Sequence, residues 1–169
     1  MKKNVVLTGM MGVGKSTVGK KLAKKLKLKF IDVDKIIEKK EKNSIRDIFE
    51  KKGEKYFRET EKAITLEQLK KEKSLIALGG GAILNTSVRK EIKNSCISFW
   101  LDLDTKTLSS RLKNVRKRPL LNKDKLEETI NRIYSDRKKI YSESDYRIKI
   151  SSMNIEKIIK KIVILYENS

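Results

Sequence analysis

Residues 9–17 read GMMGVGKST and match the pattern G-x-x-x-x-G-K-[ST] at every fixed position. The short apolar run before them, residues 4–8, is typical of a buried strand. The pattern after them, residues 15–27, has apolar residues on one face of a helix. This strand–loop–helix context is the one that a phosphate-binding loop requires. The stretch therefore predicts a loop that binds a nucleoside triphosphate.

The residue types of this loop have separable tasks. Glycines let the backbone curl, so that successive N–H groups and the start of the following helix converge on phosphate oxygens. Lys15 reaches the outer phosphates, and the Ser16 hydroxyl can ligate Mg²⁺. A dinucleotide-binding loop is the alternative, but Thr17 stands where its third glycine belongs and Lys15 would have no role. The predicted nucleotide-binding residues of the loop are Gly12, Val13, Gly14, Lys15, Ser16 and Thr17.

Short apolar runs alternate with longer helical patterns along the whole chain. Because these runs are apolar on both faces, they predict a parallel sheet covered by helices on two sides. With 169 residues and 38% hydrophobic residues, one compact domain over residues 1–169 is expected. The fold class is a three-layer α/β P-loop fold. Its five predicted strands are residues 4–8, 30–33, 75–78, 97–101 and 147–150.

Composition restricts the chemistry. The chain has no histidine, which excludes Ser-His-Asp hydrolysis and His-ligated zinc. The single cysteine, Cys96, excludes an internal disulfide and lies in an apolar stretch, where a buried, unreactive thiol is expected. Carboxylate, lysine, arginine and backbone-amide chemistry remains.

The formal net charge is +20, from 42 Lys and Arg against 22 Asp and Glu. Such a balance favours anionic partners, but the lysines are scattered in pairs along the chain, so no specific nucleic-acid partner is expected. No apolar run is long enough for a signal sequence or a membrane span. The sequence therefore predicts a cytoplasmic protein, and we expect a monomer.

Two aspartates follow the second predicted strand. Asp32 and Asp34 are two residues apart, so on a strand their side chains would point the same way, towards the ligand crevice. One carboxylate could then hold Mg²⁺ while the other meets the acceptor. With histidine absent, a carboxylate is also the natural acceptor for a hydroxyl proton. The alternative is that either aspartate only caps the following helix.

Several stretches together resemble the shikimate kinase family in order and spacing. The resemblance covers nearly the whole chain and is carried by residues 9–19, 30–34, 57–61, 78–81, 118–121 and 137–141. It implies transfer of the γ-phosphoryl group of ATP to the 3-hydroxyl of shikimate, with Mg²⁺, in aromatic amino-acid synthesis. It also implies a substrate-binding segment at about residues 33–61 and a mobile lid at about residues 113–123.

The resemblance also implies roles for individual residues. Asp34 would engage the reacting hydroxyl, while Arg58 and Arg137 clamp the shikimate carboxylate. Arg118 would close over the phosphates from the lid, and Arg111 would stack on adenine. Lys15, Ser16 and Asp32 would manage phosphate and Mg²⁺, and the backbone of Gly79, Gly80 and Gly81 would approach the substrate ring.

The sequence departs from the family pattern in two places. Residues 151–154 lack the arginine and proline that some relatives place against adenine, and in the basic lid Arg116 could share the work of Arg118. Two alternatives stay open. One is another small P-loop kinase, acting on gluconate or a nucleoside monophosphate. The other is a binding module for nucleic acid, although such a module would have no use for Asp34.

Overall fold

The computed structural model describes residues 3–113 and 125–169, and these form an α/β structure around one parallel sheet. The strands are β1 (Asn4–Thr8), β2 (Lys29–Asp32), β3 (Ser74–Ala77), β4 (Cys96–Asp102) and β5 (Tyr146–Lys149). The helices are α1 (Lys15–Leu26), α2 (Val33–Glu41), α3 (Ile45–Leu69), α4 (Thr86–Ser95), α5 (Thr105–Leu112), α6 (Leu126–Tyr141) and α7 (Ile155–Glu167), with a 3₁₀ turn at Ala82–Leu84.

Each face of the sheet builds its own hydrophobic core. Val5 on β1 points to one face. It packs in a core with Leu22 of α1 and with residues of α7. Val6, the next residue, points to the opposite face and shares a core with Ile64 of α3 and Val88 of α4. Successive residues of a strand alternate between faces, so a strand that is apolar throughout needs helices on both sides. The three-layer fold predicted from the apolar runs is confirmed.

The strand order places the loops after β1 and β3 side by side. The sheet runs β2-β3-β1-β4-β5, and all four neighbouring pairs are parallel. From β1 the chain crosses to β2, towards one edge of the sheet. From β3 it crosses to β4, towards the opposite edge. Ligands bind in the crevice that opens where connections diverge in this way. The phosphate loop and the triple glycine follow β1 and β3, so both border this crevice.

Two residues of the sequence explain where α3 begins and where it is kinked. Ser44 begins α3 with a capping box, in which its hydroxyl accepts from the Asp47 N–H. Gly53 has the non-helical angles φ 81° and ψ 167°, so α3 consists of two helical segments that meet at a kink.

The expected burial of Cys96 is confirmed. Trp100 on β4 is buried, and so is Cys96, where burial raises the pKa of the thiol. The deprotonated, reactive form of this cysteine is therefore disfavoured. Among residues 3–113 and 125–169, no helix has the length and hydropathy to cross a membrane.

The end of α1 provides a test of backbone strain. Lys27 ends the helix in the left-handed conformation, with φ 55° and ψ 39°. This conformation costs a residue with a Cβ roughly 1–2 kcal/mol but is free of strain for glycine. We expect Lys27→Gly to raise the free energy of unfolding by about 1 kcal/mol, measured by urea denaturation.

Lys25→Gly is the matched control for this substitution. Lys25 is also an exposed lysine but lies within α1, where glycine lowers helix stability by about 1 kcal/mol. If both variants were destabilised equally, the left-handed conformation of Lys27 would be contradicted.

Candidate active site

The loop between β1 and α1 forms a cradle that depends on its glycines. Gly12 has φ 80° and Gly14, which caps α1, has φ 99°, both in the region that side chains with a Cβ avoid. The first turn of α1 therefore presents its free N–H groups and the positive end of its dipole to the loop. This is the geometry expected of a phosphate-binding loop, and phosphate binding by its residues stays a prediction.

The polar side chains of the loop are held by hydrogen bonds within the protein. Lys15 Nζ donates to the carbonyl oxygens of Gly9 at 2.7 Å and Met10 at 2.9 Å, across the mouth of the loop. Ser16 Oγ donates to Asp32 Oδ2 at 2.6 Å, so the two predicted metal ligands are already in contact. In the described part of the chain, no group of three or more Asp, Glu, His or Cys side chains could hold a metal by itself.

The prediction that both aspartates lie at the end of a strand was wrong, although both residues line the crevice. Strand β2 ends at Asp32, and Asp34 lies in the first turn of α2. Asp32 caps this helix by accepting from the Lys35 N–H at 3.3 Å, so the capping alternative is confirmed for Asp32, which also accepts from Ser16. Asp34 instead faces the triple glycine, because a Cβ built on Gly79 would lie 2.8 Å from Asp34 Oδ1.

A partly buried ion pair borders the same glycines. Arg58 Nη1 donates to Glu61 Oε2 at 2.7 Å, and a Cβ on Gly81 would lie only 2.4 Å from Arg58 Nη1. Glu61 is 3% exposed, and burial raises the pKa of its carboxyl, an effect that Arg58 opposes. Glu61 was not among the predicted site residues. Its spacing from Arg58, three residues along one helix, is the signal that could have found it.

Arg137 approaches the triple glycine from α6. It is 8% exposed, which is rare for an arginine and indicates a defined set of polar surroundings. A Cβ on Gly80 would lie 3.7 Å from Arg137 Nη1 and 3.2 Å from the backbone nitrogen of Met11. Gly80 therefore lies between Arg137 and the phosphate loop. We call Asp34, Arg58, Glu61, Arg137 and Gly79 to Gly81 the acceptor cluster.

One cleft joins the phosphate loop to the acceptor cluster. Its volume is about 180 Å³, and it contains Lys15 on one side and Asp34 on the other. Its lining residues are Gly12, Gly14, Lys15, Ser16, Thr17, Asp32, Asp34, Ala77, Leu78 and Gly80. A phosphate held by the loop would thus share one cleft with the Asp34 carboxylate.

A larger groove, of about 810 Å³, lies at the opposite end of the sheet. It is lined by residues at the amino ends of the strands, such as Asn4, Leu28 and Lys73, and includes none of the predicted site residues. In parallel sheets, ligands bind beyond the carboxyl ends of the strands. Position and chemistry therefore identify the smaller cleft as the candidate site.

The predicted lid and its neighbour are only partly described. Arg111 lies behind the phosphate loop, with Nη1 3.4 Å from the carbonyl oxygens of Gly12 and Val13. Its stacking on adenine stays a prediction. Arg116 and Arg118, with residues 114–123 of the predicted lid, lie outside the described residues.

The close approach at Gly79 makes a testable prediction. A Cβ there would lie 2.4 Å from Glu61 Oε1 and 2.8 Å from Asp34 Oδ1, and Glu61 cannot move without breaking its buried ion pair. We expect Gly79→Ala to lower kcat/KM for the acceptor at least tenfold, because overpacking of about 1–3 kcal/mol displaces both carboxylates. Steady-state kinetics with varied acceptor measures this.

Gly19→Ala is the control for overpacking alone. Its Cβ would lie 2.5 Å from Phe30 Cε2, in the core between α1 and the sheet. This variant should lose stability with little change in acceptor kinetics. Equal kinetic losses in both variants would contradict a specific role for Gly79.

A phosphate loop at the switch point of a parallel sheet, opposite a carboxylate that can receive a hydroxyl proton, defines a P-loop small-molecule kinase. Comparison with known proteins agrees. The family profile described as shikimate kinase matches residues 11–167. A shikimate kinase of Sulfurihydrogenibium sp. (strain YO3AOP1) is 43% identical over 164 residues, which are 95% of this chain and 98% of the relative. The chain therefore belongs to the shikimate kinase family.

Solved structures separate this family from the alternative. The structure of shikimate kinase from Acinetobacter baumannii in complex with shikimate has a TM-score of 0.94 and 32% identity, covering 98% of this chain and 93% of that chain. A gluconokinase from Sinorhizobium meliloti 1021 has a TM-score of 0.61 and 19% identity, covering 99% of this chain and 95% of that chain. The second likeness shows the shared fold alone.

Proposed function

We propose that the protein transfers the γ-phosphoryl group of ATP to the 3-hydroxyl of shikimate, giving shikimate 3-phosphate and ADP. The observation that carries this proposal is the single cleft in which the phosphate loop faces Asp34. The chain's membership of the shikimate kinase family and the arginines of the acceptor cluster support the choice of acceptor.

Two arginines suit the carboxylate end of the acceptor. Arg58 and Arg137 come from different helices and border adjacent glycines, so both guanidinium groups can contact one small acid. Hydrogen bonds from guanidinium to carboxylate are charge-assisted and directional. The ion pair with Glu61 holds the Arg58 guanidinium in place before the acceptor arrives, which reduces the entropy lost on binding.

Asp34 suits the reacting hydroxyl. As the acceptor oxygen forms its bond to the γ-phosphorus, the bond from phosphorus to the β,γ-bridging oxygen breaks and ADP leaves. The hydroxyl proton passes to the Asp34 carboxylate. Because the transition state is loose, the carboxylate orients the hydroxyl and receives its proton late.

The phosphate loop and the first turn of α1 serve the nucleotide. Lys15 would exchange the carbonyls of Gly9 and Met10 for the outer phosphates of ATP, which offer it full negative charge. Ser16 and Asp32 would hold Mg²⁺ beside it, because Ser16 Oγ and Asp32 Oδ2 are hard oxygen ligands that lie 2.6 Å apart. Bound Mg²⁺ neutralises charge on the phosphates.

The segment of residues 33–61 binds the acceptor in this proposal. It contains α2 and the first two thirds of α3, which supply Asp34, Arg58 and Glu61. We further assign Arg111 to the adenine side, since it lies behind the phosphate loop, and Arg118 to the charge on the transferred phosphoryl group.

A coupled assay of ADP release with shikimate, gluconate and AMP as separate acceptors tests the proposal. We expect turnover with shikimate but not with gluconate or AMP. Turnover with gluconate or AMP and none with shikimate would show that the protein is a kinase with a different acceptor. Tight duplex binding at physiological salt without ADP release would instead indicate a nucleic-acid module.

A further inference from the structure

The three glycine carbonyls after β3 each have a different hydrogen-bond donor. Gly79 O accepts from the Ala82 N–H at 3.1 Å, and Gly81 O accepts from the Leu84 N–H at 3.0 Å. Gly80 O is the exception, because it accepts from a side chain, the Tyr141 hydroxyl, at 2.5 Å. Within residues 3–113 and 125–169, no hydrogen bond uses the N–H groups of these glycines. The carbonyls anchor the segment, and its N–H groups remain available to a ligand.

Tyr141 is held rigidly. It is completely buried at the end of α6, and its ring stacks on Trp100 with 5.8 Å between the ring centroids. It follows Arg137 by four residues, so one turn of α6 directs both side chains towards Gly80. Burial raises the pKa of the Tyr141 hydroxyl. The hydroxyl therefore stays protonated, as a donor, across the pH range of an enzyme assay.

We propose that Tyr141 is a positioning residue for the acceptor, acting through the peptide that joins Gly80 to Gly81. A peptide group is planar and trans, so a hydrogen bond that fixes the Gly80 carbonyl also fixes the Gly81 N–H, which points the opposite way. A glycine pair has little other means of holding one orientation, because neither residue has a side chain to pack. Tyr141 supplies that constraint.

The constraint matters because Gly80 is where the two halves of the site meet. Its Cβ position lies 3.2 Å from the Met11 nitrogen of the phosphate loop and 3.7 Å from Arg137 Nη1. A rotation of the peptide that joins Gly80 to Gly81 would move the Gly81 N–H, a donor that faces the acceptor, relative to the bound phosphate. Displacements of this kind reduce the fraction of complexes in which the reacting atoms are aligned.

Tyr141→Phe tests the inference, which rests on the proposed function. The variant keeps the ring stacked on Trp100 and removes only the hydroxyl. We expect kcat/KM for shikimate to fall roughly tenfold, the equivalent of one hydrogen bond, with KM for ATP within about twofold of the wild type. Titration calorimetry should show weaker shikimate binding and unchanged ATP binding.

Tyr166→Phe is the matched control. Its buried hydroxyl also donates to a backbone carbonyl, that of Lys3 at 3.0 Å, but at the opposite end of the sheet from the site. Both variants should lower the urea midpoint of unfolding, whereas only Tyr141→Phe should change shikimate kinetics. Unchanged shikimate kinetics in Tyr141→Phe, or an equal loss in Tyr166→Phe, would overturn the inference. Failure of the proposed function would differ, since the wild type itself would then not phosphorylate shikimate.

Discussion

Asp34→Asn should lower kcat with shikimate by about a thousandfold while ATP binding stays within twofold of the wild type. The amide has the shape of the carboxylate but cannot take the hydroxyl proton, and general-base catalysis contributes about 10²–10⁴-fold. Asp34 borders the cleft on the side of Gly79, away from the loop that holds the nucleotide. Initial rates in the coupled assay measure turnover, and titration calorimetry measures ATP binding.

Asp136→Asn is the control for the loss of a negative charge near the site. Asp136 precedes Arg137 on α6 but is exposed to solvent, so its replacement should leave turnover unchanged. Near-normal turnover in Asp34→Asn would show that this carboxylate takes no part in the mechanism.

Arg137→Ala should raise KM for shikimate between roughly tenfold and a hundredfold, with a smaller effect on KM for ATP. Hydrogen bonds to charged groups contribute about 1.5–3 kcal/mol, and Arg137 is buried, where solvent screens its charge little. Arg137→Lys should recover part of the loss, because lysine restores the charge but not the planar pair of donors. Steady-state kinetics with varied shikimate at saturating ATP distinguishes the three proteins.

Arg132→Ala provides the comparison on the same helix. Arg132 is exposed on α6, so its removal changes net charge equally without touching the cleft. A KM for shikimate that is unchanged in Arg137→Ala, or raised as much in Arg132→Ala, would contradict a carboxylate clamp.

The fold and the phosphate loop were predictable because their signals are local. Apolar runs separated by helical patterns specify a parallel sheet covered on both faces, and both cores form as expected around Val5 and Val6. The loop needs a left-handed backbone at Gly12 and Gly14, and glycine at those positions is visible in the sequence. Capping signals such as Ser44 also act within four residues.

The details of the acceptor cluster were not predictable in this way. Asp34 reaches the cleft from the first turn of a helix that begins at Val33, where the sequence predicted the end of a strand, so the strand alternation gave a right conclusion for a wrong reason. Glu61 carried a weak local signal, its spacing from Arg58. Tyr141 ends one of the stretches that carry the family resemblance, but nothing in the sequence indicates that its hydroxyl meets a carbonyl 61 residues away.

The amino-acid sequence by itself thus specified the class of fold, the nucleotide loop and, through the family resemblance, the candidate acceptor residues. Tertiary packing specified how they meet, because Asp34, Arg58, Gly80 and Arg137 come from four separate segments. Those segments converge only once β1 and β3 lie side by side and α6 closes over the triple glycine. Local propensities act over a few residues, whereas the orientation of a buried hydroxyl or guanidinium depends on contacts that form only in the folded chain.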